Sequence, residues 1–466
     1  IKCEQEMKGR DPFGNSRNLE DFRRISSILF AGVLSRTDRN IYYGDVRPKH
    51  GPGATADRLS GNAKYRLRTW TDRLEEIFPA GEYLLPNWSF YDQYDDVHHL
   101  DPGSELPVRV ISVPKTQKTP RIIAIEPSCM QYMQQAIQED IRESISKYSY
   151  LDSMLGFDDQ TPNQRMAREG SRNGTLATLD LSEASDRVSN QHVREMMRQH
   201  PYLHKAVDAT RSRKADVPGH GVIRLSKFAS MGSALTFPIE AMVFLTLVFI
   251  GIERELNSPL SLKIVKQFEG RVRIYGDDII IPVEMVRSVV DVLHTFGYVV
   301  NTGKSFWTGK FRESCGKEYY DGYDVSIVKV RRTFPTQRRH VQDVISLVSL
   351  RNQLFKAGLW NTSRWLDSRI SGILKHYPAV HDSSPVLGRF HYSGYDTQKL
   401  GKRLHNPLVR GYVVSSQSPN DILDDSGALL KFFLKRGDQP FADKEHLRRA
   451  GRPHAVNIKL RWASPF

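Results

Sequence analysis

The hydrophobic pattern is sharpest in the middle of the chain. A short apolar run, Leu176 to Leu179, ends at Asp180 and predicts a strand; Val188, Val193, Met196 and Met197 then recur at helical spacing. Ala241 to Ile252 is apolar on every side, which predicts a helix buried in a core. At about twelve residues that run is too short to span a bilayer, which needs about twenty. Val272 to Ile274 and Ile279 to Val283 predict two strands separated by Tyr275-Gly276-Asp277-Asp278. Earlier, Leu19 to Leu34 and Tyr132 to Tyr148 read as helices, and the proline-bearing stretch Leu106 to Pro127 as β-rich. Beyond about Pro335 the chain reads as largely helical and basic. No repeat of solenoid length and no low-complexity tract interrupts this order.

Composition narrows the class. With 466 residues, 39% hydrophobic and 26% charged, the chain can bury a large core, and global disorder is excluded. Lys and Arg number 67 against 53 Asp and Glu, a net +14 that favours polyanionic partners. Residues 401–466 alone hold 12 basic against 6 acidic side chains. Cys3, Cys129 and Cys315 are far apart with no CxxC pair, which argues for a reducing compartment and against a disulfide scaffold or zinc knuckle. The opening stretch, Ile1 to Arg10, is polar and unlike a signal peptide.

The acids carry the first chemical signal. Gly276, Asp277 and Asp278 sit at a predicted tight turn between two apolar strands, so the turn leaves a buried sheet rather than a solvated ribbon. If the strand ending at Asp180 lies beside them, three carboxylates converge. Two unit charges about 4 Å apart repel by about 4 kcal/mol at an effective dielectric near 20. Bound cations or raised pKa values must offset that repulsion. Hard oxygen donors without His or Cys select Mg²⁺, or Mn²⁺, over zinc. Two such ions about 3.5–4 Å apart form the clamp that activates a 3′-hydroxyl and stabilises a leaving pyrophosphate.

Three other stretches bear on chemistry. Arg109, Lys115, Lys118 and Arg121 are spaced along an extended segment that Pro114 and Pro120 keep from becoming a helix, a pattern suited to a triphosphate. The small residues from Ser230 through Met231, Gly232 and Ser233 allow close approach of a ligand or template backbone. Asp95, Asp96, His98, His99 and Asp101 read as a solvated loop rather than a metal site, and His50 beside Gly51 and Gly53 as turn architecture. Asn301-Thr302-Gly303-Lys304-Ser305 fails as a phosphate-binding P-loop because Gly297 is one residue too early.

Together these segments resemble the replicase of the single-stranded RNA bacteriophages (leviviruses), the catalytic subunit of an RNA-directed RNA polymerase. The resemblance runs in order from His50-Gly51-Pro52-Gly53-Ala54-Thr55 through Val113-Pro114-Lys115 and Arg121-Ile122-Ile123-Ala124-Ile125-Glu126-Pro127. It continues through Asp159 to Arg165, Asp180-Leu181-Ser182-Glu183-Ala184-Ser185-Asp186, Ser230-Met231-Gly232 with Thr236-Phe237, the Tyr275 to Asp278 tetrad, and Phe311 to Lys317 with Tyr319-Tyr320. It implies an α+β right-hand polymerase: fingers over 1–173 with an insertion at 190–225, a palm with a small antiparallel sheet over 174–189 and 226–330, and a helical thumb and C-terminal region over 331–466.

The resemblance also implies site roles. Asp180, Asp277 and Asp278 match the metal-binding catalytic positions, for two Mg²⁺ ions, with Mn²⁺ as the alternative. Lys115, Lys118 and Arg121 match the basic motif facing the incoming NTP, with Asp186 and Glu240 as further NTP-site candidates. Ser230, Met231 and Gly232, with Phe311 and Arg312, match template and primer contacts; His50 is a further template candidate. Lys304 takes the position of a general acid for pyrophosphate, with Lys310 in competition. The pattern departs from many RNA polymerases in having Ser185 where a second aspartate stands, and Glu240 where an asparagine is common. The implied partners are single-stranded RNA template, nascent RNA and NTPs, with bacterial elongation factors Tu and Ts and a small-subunit ribosomal protein. The implied place is the cytoplasm of an infected bacterial host, with no membrane association. A reverse transcriptase with the same palm, and a non-enzymatic basic RNA-binding protein, are the competing readings.

Overall fold

In the computed structural model, the apolar run at 241–252 forms the middle of a 21-residue helix, Thr236–Leu256, buried at every position from Pro238 to Ile252. Its length and composition would suffice to cross a bilayer, but 89% of its most apolar window is buried inside the protein. The helix is longer than the apolar run because it gains about a turn at each end. The structure describes all residues except 52, 115–119, 418–419 and 437–454. The helix packs on Ser16–Tyr42, whose N-cap Asn15 accepts from the Asn18 N–H, and on Val286–Thr295. At the second contact Gly251 lies so close that an added Cβ would stand 2.6 Å from the Val289 Cα.

On this core rests a four-stranded antiparallel sheet in the order Val299–Val300, Leu176–Ser182, Asp278–Pro282 and Arg273–Tyr275. Its period-two alternation sorts the residues by face. Ala177, Leu179, Leu181, Ile279 and Ile281 enter the main core, while Leu176 and Ile280 meet Met166 on the other side. Asp180 and Asp278 continue that second face beyond its apolar cover. Both predicted hairpin strands are present, shifted by a residue, and the strand 176–182 runs on through Asp180 rather than ending there.

A second sheet orders Pro120–Ile125, Val108–Pro114, Lys214–Val217 and Gly221–Arg224, with 108–114 running parallel to 214–217. Contacts divide the chain into two units: residues 1–111, 122–326 and 421–438, and residues 112–121, 327–420 and 439–466. Within the second unit, helices Val341–Lys356 and Trp360–Ile373 share a core of Val344, Leu347, Leu366 and Ile370. There the sequence expectation of a largely helical stretch beyond 335 needs correction. Pro407–Gln417 and Ala455–Ala463 form a long antiparallel pair, extended by Lys399–Leu400. Val409, Val413 and Val414 favour a pleated chain, but the strand they pair with lies some forty residues on, beyond any local window. Helix Ser426–Leu434 belongs to the first unit instead.

Gly251 sets two effects against each other. Alanine gains about 1 kcal/mol of helix propensity, but a Cβ pressed on the Val289 backbone costs about 1–3 kcal/mol as overpacking. Gly251→Ala should therefore lower the thermal midpoint; an unchanged or raised midpoint in calorimetry would show that the two helices can separate freely.

Candidate active site

Asp180 and Asp278 are direct cross-strand partners, the last of five consecutive pairs from Leu176↔Pro282 to Asp180↔Asp278. Side chains of such a pair share a face, with Cβ atoms about 4.5–5.5 Å apart. Two acids 98 positions apart in sequence are thus neighbours by register, and a one-residue slip of either strand would turn its aspartate toward the apolar core. Tyr275 pairs with Asp278, leaving Gly276 and Asp277 as a two-residue turn. Gly276 has φ +61°, whereas Asp277 is not among the left-handed residues, which fits a type II′ turn with glycine first. A Cβ on Gly276 would also lie 2.5 Å from the Phe237 ring, so glycine is required for space as well as conformation. Asp277 itself is exposed at the tip.

The acids feel one another. Burial pushes the Asp278 carboxyl up to about 6, and Asp277 and Asp180 add to it, while the Cys315 N–H donating to its Oδ2 at 2.9 Å acts the other way. Glu240, one turn into the core helix, is held well above the carboxylate range by burial, then by Asp277 and Asp186, and its Oε2 has no hydrogen-bond partner. Asp186 is paired with Lys227, Nζ to Oδ1 2.5 Å. Asp180 Oδ2 accepts from Asn301 Nδ2 at 3.0 Å and lies 3.9 Å from Lys304 Nζ, and its backbone N–H donates to Ser305 Oγ.

These features suit a divalent cation by donor chemistry: hard oxygens, mutually repelling, on one sheet face and at the turn beside it. Asp180, Asp278 and Asp277 are the residues that would hold it. Among the described residues, however, no three acid, His or Cys side chains already stand as a ligand set. Convergence is established for Asp180 with Asp278, and for Asp277 only as an electrostatic neighbour of Asp278 and Glu240.

Other expected residues fall differently. Lys115 and Lys118 lie outside the described residues, and Arg121 is exposed in its strand. Ser230 is buried and its carbonyl accepts from Thr236 Oγ1. Met231 is exposed, with its carbonyl taking the Ala124 N–H. Gly232, at φ +137°, would place a Cβ 1.9 Å from the Ala124 carbonyl oxygen. The small-residue run thus admits a close approach, but to the protein's own strand 120–125. Phe311 is half-buried against Phe306, ring centroids 4.6 Å apart. Arg312 requires a correction. It is fully buried, its Nε donates to the Leu176 carbonyl at 2.6 Å, and Nη1 donates to the carbonyls of Thr308, Gly309 and Phe311. Its donors are spent bracing strand 311–314 on strand 176–182, and it presents none to a template. Lys310 is paired with Asp321 at 3.0 Å. His50 stacks on Tyr132, ring centroids 4.6 Å apart. Asp101 caps a turn through the Gly103 and Ser104 N–H groups, but His98 and His99 stand in a short strand, His98–Leu100, paired with Thr69–Thr71, rather than in the expected loop.

The sequence reading missed Asn301, Ser305 and Cys315. The first two were visible only as a failed P-loop; strand Val299–Val300 pairs with Ser182 and Leu181 and so delivers that loop to Asp180. Cys315 and Gly316 form the turn between paired Ser314 and Lys317, with φ +50° and +74°, the type I′ signature. That turn aims the Cys315 N–H at Asp278.

A family profile described as RNA replicase, beta-chain, matches residues 105–409. The RNA-directed RNA polymerase beta chain of Enterobacteria phage fr is 32% identical over 302 residues, covering 65% of this chain and 49% of its own length. The corresponding subunit of Enterobacteria phage SP is 35% identical over 305 residues, covering 64% and 49%, and that of Escherichia virus Qbeta 34% over 283 residues, covering 59% and 44%. The chain spans about half the length of the relatives it matches.

Because Asp278 is raised from 3.8 to about 6, its contribution to stability is complete below about pH 4 and is lost as pH rises through 6. In chelator, Asp278→Asn should gain on the wild type across that interval, by up to about 3 kcal/mol at pH 8. Urea titrations at pH 5 and pH 8 read the difference; an equal gap at both would place the charge strain elsewhere.

Proposed function

Because the chain belongs to the RNA replicase beta-chain family, we propose that it is the polymerase part of an RNA-directed RNA polymerase that copies a single-stranded RNA phage genome. The observation that carries this reading is the register pairing of Asp180 with Asp278 beside the Gly276-Asp277 turn. In right-hand terms, the sheet containing both acids belongs to the palm over 174–189 and 226–330, with fingers over 1–173 and 190–225 and a thumb after 330. The reaction is in-line attack of a nascent 3′-hydroxyl on the α-phosphate of a paired NTP.

Divalent ions, Mg²⁺ or Mn²⁺, would supply the charge that lowers the hydroxyl pKa and offsets the charge growing on pyrophosphate. The chain's own residues position that charge. The Cys315 N–H and the Asn301 amide each engage one oxygen of Asp278 and Asp180, orienting the carboxylates across the sheet face. Lys304, exposed beside Asp180, is our candidate proton donor to the leaving pyrophosphate. Lys115, Lys118 and Arg121 are assigned to the triphosphate, and Asp186 and Glu240 to the NTP site. Burial raises the Glu240 carboxyl well above its ordinary value, which favours its neutral form at that site. In this reading the exposed Met231 and the half-buried Phe311 face the template, while Ser230 and Gly232 shape the loop that carries Met231. Product sequence comes from base pairing, so the protein reads RNA shape and backbone. Elongation factors Tu and Ts, a small-subunit ribosomal protein and the cytoplasm of the infected bacterium complete the proposal.

Asp277→Asn should lower templated ribonucleotide incorporation in Mg²⁺ by about a thousandfold or more, several kcal/mol of lost charge stabilisation, while RNA binding persists. Retained synthesis would overturn the assignment. Incorporation of deoxynucleotides in preference to ribonucleotides would instead favour a reverse transcriptase.

A further inference from the structure

The positive charge of the chain is concentrated in one stretch. Between 327 and 420 there are fifteen Lys and Arg against four Asp and Glu, a surplus of eleven where the whole sequence has fourteen. Such a surplus selects a polyanion. Helix Trp360–Ile373 shows what kind. Its inward residues, Ser363, Leu366 and Ile370, are buried in the core of the second unit. Its outward face presents Arg364, Trp365, Ser368 and Arg369, all exposed. The one carboxylate of the helix, Asp367, is held by Arg351 at 2.7 Å, so no acid tempers the outward face. Arg364 and Arg369 have no ion pair among the described residues.

The aromatic geometry adds a second, independent indication. Trp365 is 49% exposed and Phe334 44%. Their ring centroids lie 6.1 Å apart, and the Arg369 guanidinium stands 5.3 Å over the Trp365 ring. Two half-exposed rings and a stacked guanidinium are flat surfaces in water, inside the most basic part of the chain. Duplex RNA offers its phosphates but keeps its base faces within the stack; unpaired RNA offers both. An acidic peptide would use the charges and leave the rings idle.

We infer that Phe334, Trp365 and Arg369, flanked by Arg364, form a stacking platform for unpaired bases of single-stranded RNA. This deepens the polymerase reading, on which it rests for the choice of RNA as the polyanion. Each ring takes a base face at van der Waals distance, and the arginines meet the adjoining phosphates. Base on aromatic stacking is worth about 1–3 kcal/mol per base, enough to hold an unpaired strand against thermal exchange.

The test uses the full chain with two labelled probes, a 20-nucleotide oligouridylate and a 20-base-pair RNA duplex, in anisotropy titrations over a range of salt. Trp365→Ala should weaken oligouridylate binding about tenfold, leave the slope of log K against log salt unchanged, and alter duplex binding less than twofold. Trp365→Phe should restore most of the loss, and Arg369→Gln should reduce the salt slope by about 0.7. Unchanged oligouridylate affinity in Trp365→Ala overturns the inference. So does an equal loss on both probes, or a loss accompanied by a lower melting temperature that Trp365→Phe does not repair. Wild-type synthesis separates the two readings: if the wild type makes no RNA but the Trp365 effect holds, the polymerase reading fails and the platform stands.

Discussion

Everything at the candidate site depends on the antiparallel register of strands 176–182 and 278–282. Five consecutive pairs, apolar for most of their length, end on two aspartates facing each other. The burial of Ala177, Leu179, Ile279 and Ile281 on the opposite face enforces that register, because slipping either strand by one residue would take its pair of them out of the core. The hydrophobic core thereby does the electrostatic work of holding like charges together. Burial first, and the neighbouring acids after it, raise the Asp278 carboxyl, a cost that a bound cation would offset.

Around the acids the protein builds support from backbone geometry. The turn at Gly276 requires glycine both for its φ and for the Phe237 ring packed against it. The turn at Cys315 and Gly316 places an N–H on Asp278, and the loop after Val300 places an amide and a cation on Asp180. Buried Arg312 ties strand 311–314 to Leu176 through its guanidinium. An arginine with all its reach committed to carbonyls is a strut.

Charge is divided along the chain as well. The acids of the proposed catalytic face sit in the first unit, whereas the stretch 327–420 holds most of the basic surplus and exposes aromatic rings beside arginines. That division along the sequence agrees with the proposed reading, in which carboxylates would hold metal ions and the substrate would be a polyanion.

By itself the sequence determined the elements whose signals are local: the core helix, from an apolar run with no polar face; the hairpin, from a glycine and an aspartate between β-branched runs; and the order of motifs that places the chain in its family. It also singled out Asp180, Asp277 and Asp278 by type and context. Tertiary structure alone decided which residues meet. The pairing of Asp180 with Asp278, the delivery of Asn301 and Lys304 by a two-residue strand, the inward turn of Arg312 and the long pair 407–417 with 455–463 all join segments distant in sequence. Periodicity tells a residue which side of its own strand it occupies. It carries no information about which strand lies alongside, since that is set by burial summed over the whole core.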